Sequence, residues 1–374
     1  MPRQTYGHVR IPFDRVHLEL TNVCDFNCAF CPKSLMTRKY GYMDYDLACR
    51  LIDEIAAEGL AEKITFHVMG EPTLHPRFFD ILEHARDARQ PVGLTTNGGG
   101  LGGEVGRRLL DAELAQVDVS LQTPDAESFE LRKAGRLTFE EYLDGIVRFF
   151  AEYRRRWPRT TFKFRFMNTT IPCRPIEEKQ GPIRVISSTA ELHEVFAHWV
   201  GRVYELTGVN GATLDGALKR LKRLKSWHWN VVEVLPWTYF ETYILGNWGN
   251  AFTEDEVREA WAGYCPGMRD HFGVMWNGDV VLCCVDYDGE TAIGNTAGRS
   301  LRDILHSDEL GRVMRGFRRL RPTLEHCRKC LGDRSAFTWL VNPFIQLGVL
   351  SVMKPFFYRK TRLYEGEGSV TVKE

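Results

Sequence analysis

The stretch Val16–Ser34, VHLELTNVCDFNCAFCPKS, decides how the rest of the chain is read. Its first part, Val16-His17-Leu18-Glu19-Leu20, alternates apolar and polar residues as a half-buried β-strand does. Cys24, Cys28 and Cys31 follow directly, in the spacing C-x3-C-x2-C. A loop at a strand's end can turn three such thiolates toward one point, and thiolates are the soft ligands selected by zinc and by iron–sulfur clusters. Three ligands leave one coordination position open. A structural zinc would want a fourth ligand nearby, but the closest histidines, His17 and His67, lie on strands without finger-like spacing.

The whole chain bounds the possibilities. Its 374 residues suffice for one large domain or two ordinary ones with a substantial core. A formal net charge of zero argues against a general nucleic-acid binder, which usually carries a basic footprint. The N-terminal MPRQTYGHVRIPFD lacks the apolar segment of a secretory signal, so a cytoplasmic protein with reduced thiols is expected. Ten cysteines in that setting point to metal binding rather than disulfides.

From residue 15 to 236 strand-like and helix-like segments alternate. The expected strands are Arg15–Leu20, Lys63–Met69, Pro91–Thr96, Gln116–Leu121, Thr161–Asn168 and Val231–Leu235. The expected helices include one through Leu47, Leu51, Ile52 and Ile55, opened by Asp44 or Asp46, then Pro76–Arg89, Glu104–Ala112 and Thr138–Arg156. The fold class is therefore α/β, a partial (β/α)6 barrel of parallel strands with a small C-terminal Cys-rich domain. Residues 1–14 form an N-terminal extension. Residues 171–230 are a long connection with two helices, Glu191–Leu206 and Ala212–Leu224, expected to wall or cover a substrate cavity. The basic run ALKRLKRLK on the second helix reads as a solvated face.

Residues 237–335 change character, with Gly- and Trp-rich loops, short strands Phe272–Trp276 and Val280–Cys283, and one helix, Ser300–Gly311. Residues 336–374 form an apolar and then basic tail. Ala336–Met353 carries no charge over 18 residues. Core or dimer packing, peripheral membrane contact through 336–362, and a spanning helix are the three readings, and Asn342, Pro343, Gln346 and Gly348 disfavour the last.

The first cysteine group, with Phe30 before its last member, resembles the motif of the radical S-adenosylmethionine (SAM) superfamily. The resemblance implies a [4Fe–4S] cluster on Cys24, Cys28 and Cys31 whose open iron chelates SAM. Other family-like elements stand at successive strand ends. Gly70-Glu71-Pro72 is similar to the family's GEP element at the methionyl amino group. Thr95-Thr96-Asn97-Gly98 is similar to its ribose-side segment, which makes Thr96 and Asn97 cofactor-binding candidates. Ser120 would reach the carboxylate or ribose, and Arg165 and Asn168 lie on the fifth strand. The ends of parallel strands are where α/β sheets place their sites. The glycine cluster GGGLGG lacks the dinucleotide-binding register.

Cys265, Cys283, Cys327 and Cys330 are spaced C-x17-C-x43-C-x2-C, and with WNGDVVLCCVDYDGETAIGN and CRKC they resemble the SPASM or twitch region of the same enzymes. The resemblance implies one auxiliary iron–sulfur cluster, most naturally [4Fe–4S], that handles electrons. Cys284 is the alternative to Cys283, because neighbouring strand residues face opposite sides, and a structural zinc site is the competing explanation for the group. Cys49 reads as a core residue. Cys173, beyond the fifth strand, is either a hydrogen-atom donor to a substrate radical, as in some sugar epimerases of the family, or a plain loop cysteine. Trp227, Trp229, Trp237 and Trp248 read as packing.

By resemblance, the protein is a radical SAM oxidoreductase: reductive SAM cleavage gives a 5′-deoxyadenosyl radical that abstracts hydrogen from the substrate. A low-potential donor such as flavodoxin or ferredoxin would supply the electron. A single auxiliary site resembles the 2-deoxy-scyllo-inosamine dehydrogenase branch, which implies oxidation or epimerisation of a carbohydrate- or aminocyclitol-like molecule. Peptide-modifying members share the same C-terminal region but often carry a leader-binding domain, whereas 23 residues precede Cys24 here. A zinc- or cluster-bearing module that never cleaves SAM is the alternative of another class.

Overall fold

The computed structural model describes residues 3–208, 211–265, 267–348 and 358–364. A short hairpin, β1 (Gln4–Tyr6) and β2 (Val9–Ile11), leads into the main sheet. Five strands then lie side by side and parallel: β3 (Arg15–Leu18), β4 (Ile64–Phe66), β5 (Val92–Thr96), β6 (Gln116–Gln122) and β7 (Thr161–Asn168). The helices between them are α1 (Tyr45–Glu58), α2 (Phe78–Asp87), α3 (Glu104–Leu109), α4 (Ala126–Phe129) and α5 (Phe139–Arg156).

Strand register sorts the side chains onto two faces. Val16, Ile64, Leu94, Val117 and Phe162 share one face and are buried against the helices, as the Phe150–Phe162 ring contact at 4.8 Å illustrates. His17, Thr65, Asp118 and Lys163 share the other. The apolar face carries the core, so the inner face of the partial barrel is left polar.

Local capping explains where the helices begin. Asp44 accepts hydrogen bonds from the backbone N–H groups of Asp46 and Leu47, which settles the start of α1. Thr138 opens α5 with a full capping box: its hydroxyl accepts from the Glu141 N–H at 3.3 Å, and the Glu141 carboxylate accepts from the Thr138 N–H at 3.0 Å. Thr138→Ala is expected to cost about 1 kcal/mol, read as a small drop in Tm with no change in metal content.

The sixth parallel strand is not Val231–Leu235. That segment belongs to β8 (Trp229–Leu235), which runs antiparallel to β9 (Thr238–Ile244), and β9 is the strand that pairs parallel with β7. Pro236 and Trp237 make the reversal, with Trp237 at φ 64°, the pattern of a type II turn. The barrel therefore extends beyond residue 236. Positive φ at a tryptophan leaves no turn mark in the sequence.

The long connection also differs from expectation. It contains a third helix, α6 (Arg174–Gln180), before α7 (Thr189–Thr207) and α8 (Gly211–Leu221). Phe196 and Trp199 of α7 pack on Phe164, Phe166 and Phe240, so α7 covers the outer face of β7 and β9 and is no lid. Residues 209 and 210 lie outside the described residues.

The Cys-rich segment does not stand apart. β10 (His271–Val274) pairs parallel with β3 and antiparallel with β11 (Val280–Val281), extending the same sheet. Its Phe272, Val274, Leu301 and Ile304 join the barrel core. The expected helix Ser300–Gly311 is two helices, α9 (Leu301–Leu305) and α10 (Asp308–Arg318), because Ser300 and Ser307 each cap a new start. Then come α11 (Glu325–Cys330), α12 (Ala336–Gly348) and β12 (Tyr358–Arg362), the last pairing parallel with β8.

In the tail, α12 presents Phe337, Leu340 and Phe344 to solvent, which overturns core packing for that face. Residues 349–357 and 365–374, including Met353 and Lys354, lie outside the described residues. Among the described residues no helix is long and apolar enough to cross a membrane.

Candidate functional site

The cysteine loop leaves the C-terminal end of β3 and is fastened on several sides. Asn27 N–H and Ala29 N–H donate to the carbonyls of Arg132 and Leu131 at 3.1 and 2.8 Å. Lys33 Nζ donates to the carbonyls of Cys24 and Phe26 at 2.8 and 3.0 Å. Phe30 is buried, and its carbonyl accepts from Trp248 Nε1 at 2.8 Å. Burial pushes the Cys24 thiol up to about 11 and the Cys31 thiol up to about 12. Such thiols stay protonated near neutral pH unless a metal replaces the proton.

The next two strand ends are bound to this loop through Asn97. Its Nδ2 donates to Asp25 Oδ1 at 2.6 Å and approaches Cys24 Sγ at 3.7 Å, while its backbone N–H donates to Glu71 Oε2 at 2.6 Å. Glu71 Oε1 accepts from the hydroxyls of Thr73 and Thr96 at 2.7 and 3.0 Å. The Glu71 carboxylate, buried and with its pKa raised by that burial, thus ties β4's end to β5's end. The part of Gly70-Glu71-Pro72 left to meet a ligand is main chain. Gly70 has φ 76°, and a Cβ there would meet the Thr21 carbonyl oxygen at 2.3 Å, so glycine is required. Val68, just before, has φ 144°, a strained conformation for a β-branched residue.

Ser120 sits where the β6–β7 register shifts, between Val119 and Gln122. Bulges of this kind re-aim side chains next to sites. The Ser120 and Leu121 carbonyls both accept from Arg132 Nη1, at 2.7 and 2.8 Å. Arg132 is almost wholly buried and faces the Cys28 thiol. Its position in the polar turn ELRKAGR reads as surface, so nothing in the sequence marks it.

Deeper on the inner face, Arg165 lies 3.9 Å from Glu241 and over the Tyr243 ring, and Lys163 bonds Glu241 at 3.3 Å. Burial raises the Glu241 carboxyl, but Arg165 and Lys163 outweigh it and hold the group below its ordinary range. Glu241 belongs to the strand that the sequence reading missed, although TYFETYI does alternate. Asn168 does not join this group: its Oδ1 accepts from Thr170 N–H at 2.8 Å and its Nδ2 donates to the Ser226 carbonyl. Cys173 is buried with Phe30, Met167, Ile176 and Phe252 in a small apolar cluster, a packing environment. A cavity of about 1390 Å3 opens at the other end of the barrel, lined by Arg15, Lys63, Gln116 and Lys163 at or near the starts of their strands.

The second cysteine group gathers Cys265, Cys283, Cys327 and Cys330. Cys327 and Cys330 share one face of α11 at i, i+3. A Cβ on Gly267 would touch Cys265 Sγ at 3.3 Å and Cys283 Cβ at 3.7 Å. Burial, and after it the neighbouring thiols, raises all four pKa values. The Cys284 thiol lies within 4.8 Å of a ring nitrogen on each of His17 and His271. Residues 248–250 bridge the two groups: Trp248 holds Phe30, while Asn250 Nδ2 donates to the Cys330 carbonyl at 3.3 Å.

The radical SAM superfamily pattern matches residues 18–162, and the iron–sulfur cluster-binding SPASM domain pattern matches residues 265–331. The chain belongs to the radical SAM superfamily and carries a C-terminal SPASM region. It is 34% identical over 106 residues to the tungsten-containing aldehyde ferredoxin oxidoreductase cofactor-modifying protein of Pyrococcus furiosus, covering 28% of each chain. It is 33% identical over 161 residues to the AdoMet-dependent heme synthase of Methanosarcina barkeri, covering 43% of each. The chain thus spans less than half the length of these curated relatives. Among solved structures, Streptococcus suis SuiB aligns with a TM-score of 0.51 at 15% identity, over 83% of this chain and 69% of that one, a likeness of fold.

A radical SAM domain with a SPASM region implies a [4Fe–4S] cluster with SAM and an auxiliary iron–sulfur cluster. The residues present fit both. Among the described residues, one set of three metal-ligand atoms lies mutually within 4.8 Å, and it includes none of the seven grouped thiols. The first group offers three thiols, which leaves one iron of a cubane for SAM, and the second offers four, which ligate a cluster fully. Arg132 Nε and Arg165 Nε are buried without a partner, donors aimed at no acceptor of the chain itself.

Proposed function

We propose that the protein is a radical SAM oxidoreductase acting on a small hydroxylated, amine-bearing molecule of the carbohydrate or aminocyclitol class. In this reading Cys24, Cys28 and Cys31 hold the SAM cluster. The main chain of Gly70-Glu71-Pro72, together with Thr96, Asn97 and Ser120, seats SAM. Cys265, Cys283, Cys327 and Cys330 hold the auxiliary cluster. The reduced cluster supplies, through bound SAM, a reagent able to remove an unactivated hydrogen.

What the chain itself contributes is aim and polarity. The observation that carries the substrate class is the inner-face group of Arg165, Lys163, Glu241 and Tyr243, with the buried Arg165 Nε unpartnered. Its carboxylate suits an amine and its cations suit hydroxyl oxygens. One group of four thiols, which ligates a cluster fully, fits removal of an electron from the substrate and so net oxidation. A low-potential flavodoxin or ferredoxin is the electron source in this reading, and the cytoplasm the location.

The test is anaerobic incubation of dithionite-reduced protein with SAM and either aminocyclitols or peptides, following 5′-deoxyadenosine. Stimulation by an aminocyclitol and formation of its ketone support the proposal. Stimulation by peptides alone moves the protein to the peptide-modifying class, and no 5′-deoxyadenosine under any reducing condition overturns catalysis. Cys327→Ala is expected to lower iron by about four atoms per chain, to keep 5′-deoxyadenosine formation, and to lose the oxidised product.

A further inference from the structure

We infer that His17, His271 and Cys284 form a third metal site, for a single divalent cation of the zinc type, separate from both cysteine groups. Their ligand atoms lie mutually within 4.8 Å, which no other three His, Cys, Asp or Glu residues achieve among the described residues. They come from three segments: His17 from β3, His271 from β10, and Cys284 from the loop after β11. Two imidazoles and one thiolate are donors that zinc accepts, and the fourth position is left for water.

The surroundings support a ligand role over simple packing. His17 Nδ1 is paired with Thr65 Oγ1 at 2.6 Å. Anchoring one ring nitrogen on a neighbouring oxygen is how proteins fix the tautomer and direction of a metal-bound imidazole, and it leaves the Nε2 lone pair for a cation. His67 and His271 place their rings 5.5 and 5.3 Å from that of His17, an unusual density of imidazole on one inner face. The Cys284 thiol stands next to Cys283 in the loop after β11 and within 4.8 Å of a ring nitrogen on each of the two histidines.

A cation here would bind the sheet extension to the barrel side-chain to side-chain. β10 meets β3 through only four register pairs. A metal shared by His17, His271 and Cys284 adds a cross-link next to Cys283 and so holds the SPASM cysteines in register with the barrel. Its role is positioning, and it takes part in no electron transfer.

The experiment uses iron-replete, anaerobically reconstituted holoprotein, equilibrated with Zn2+ and passed over a chelating resin. About one zinc per chain is expected, with an X-ray absorption shell of one sulfur and two imidazole nitrogens. His271→Gln and Cys284→Ala should each lose the zinc with iron content unchanged, and Thr65→Val should weaken zinc binding roughly 10- to 100-fold. Zinc should raise Tm in the wild type and not in these two variants. The inference is overturned if iron-replete wild type retains no zinc, if the zinc shell is all sulfur, or if zinc persists undiminished in the His271→Gln/Cys284→Ala double variant. Should the variants not fold, the wild-type absorption shell decides alone.

Discussion

Replacing any one of Cys24, Cys28 and Cys31 by alanine is expected to abolish 5′-deoxyadenosine formation while the fold survives. Three ligands are the minimum that keeps one iron of a cubane free for SAM. Cys173 shares the apolar cluster with Phe30, but it caps α6 and packs on Ile176. Iron content should fall by about four atoms per chain, leaving the SPASM iron in place. The fold should persist because the loop is also held by the Lys33, Asn97, Arg132 and Trp248 hydrogen bonds, none of which uses a thiol as its main partner. Anaerobic iron analysis, product assay and circular dichroism on the same sample check it. Retained SAM cleavage in Cys28→Ala would sink the ligand assignment.

The second large effect concerns stability. Glu19, at the end of β3, is fully buried and forms a two-pronged ion pair with Arg38. Its oxygens also accept from the backbone N–H groups of Met69 and Trp276, at 3.2 and 3.3 Å. One carboxylate therefore joins the end of β4 and the end of β10 to β3. Arg38→Ala would leave that charge buried with two neutral donors, at a cost of about 3–5 kcal/mol. Burial already raises the Glu19 pKa against the pull of Arg38, so the variant should take up a proton on that carboxyl. Adding Glu19→Gln to Arg38→Ala removes the stranded charge and should restore part of the loss. Tm of the single and double variants measures this, and equal losses in both would contradict it.

Much of the candidate site was legible as strand-end residues. Glu71, Asn97 and Ser120 follow strands whose period-2 pattern is plain, and parallel strands present their C-terminal ends together. The roles within that set were less legible. Glu71 reads as a ligand to SAM, yet its carboxylate is taken by Thr73, Thr96 and Asn97, because burial makes a carboxylate collect every nearby donor. Arg132 was illegible, since a buried arginine in a charged turn looks like any solvated one. Trp248 read as packing, and it does more, holding the Phe30 carbonyl.

By itself the sequence determined the chemistry of the donors and most of the repeating architecture: three thiols after a strand, four more at SPASM spacing, and five of the six parallel strands. These depend on residue type and local period, which a chain carries with it. Only the tertiary structure decided that Thr238–Ile244 is the sixth strand and that β10 extends the barrel sheet. It alone brought the Cys284 thiol to within 4.8 Å of ring nitrogens of His17 and His271. Strand pairing and the meeting of side chains from distant segments are set by packing across the whole core, and no local pattern encodes them.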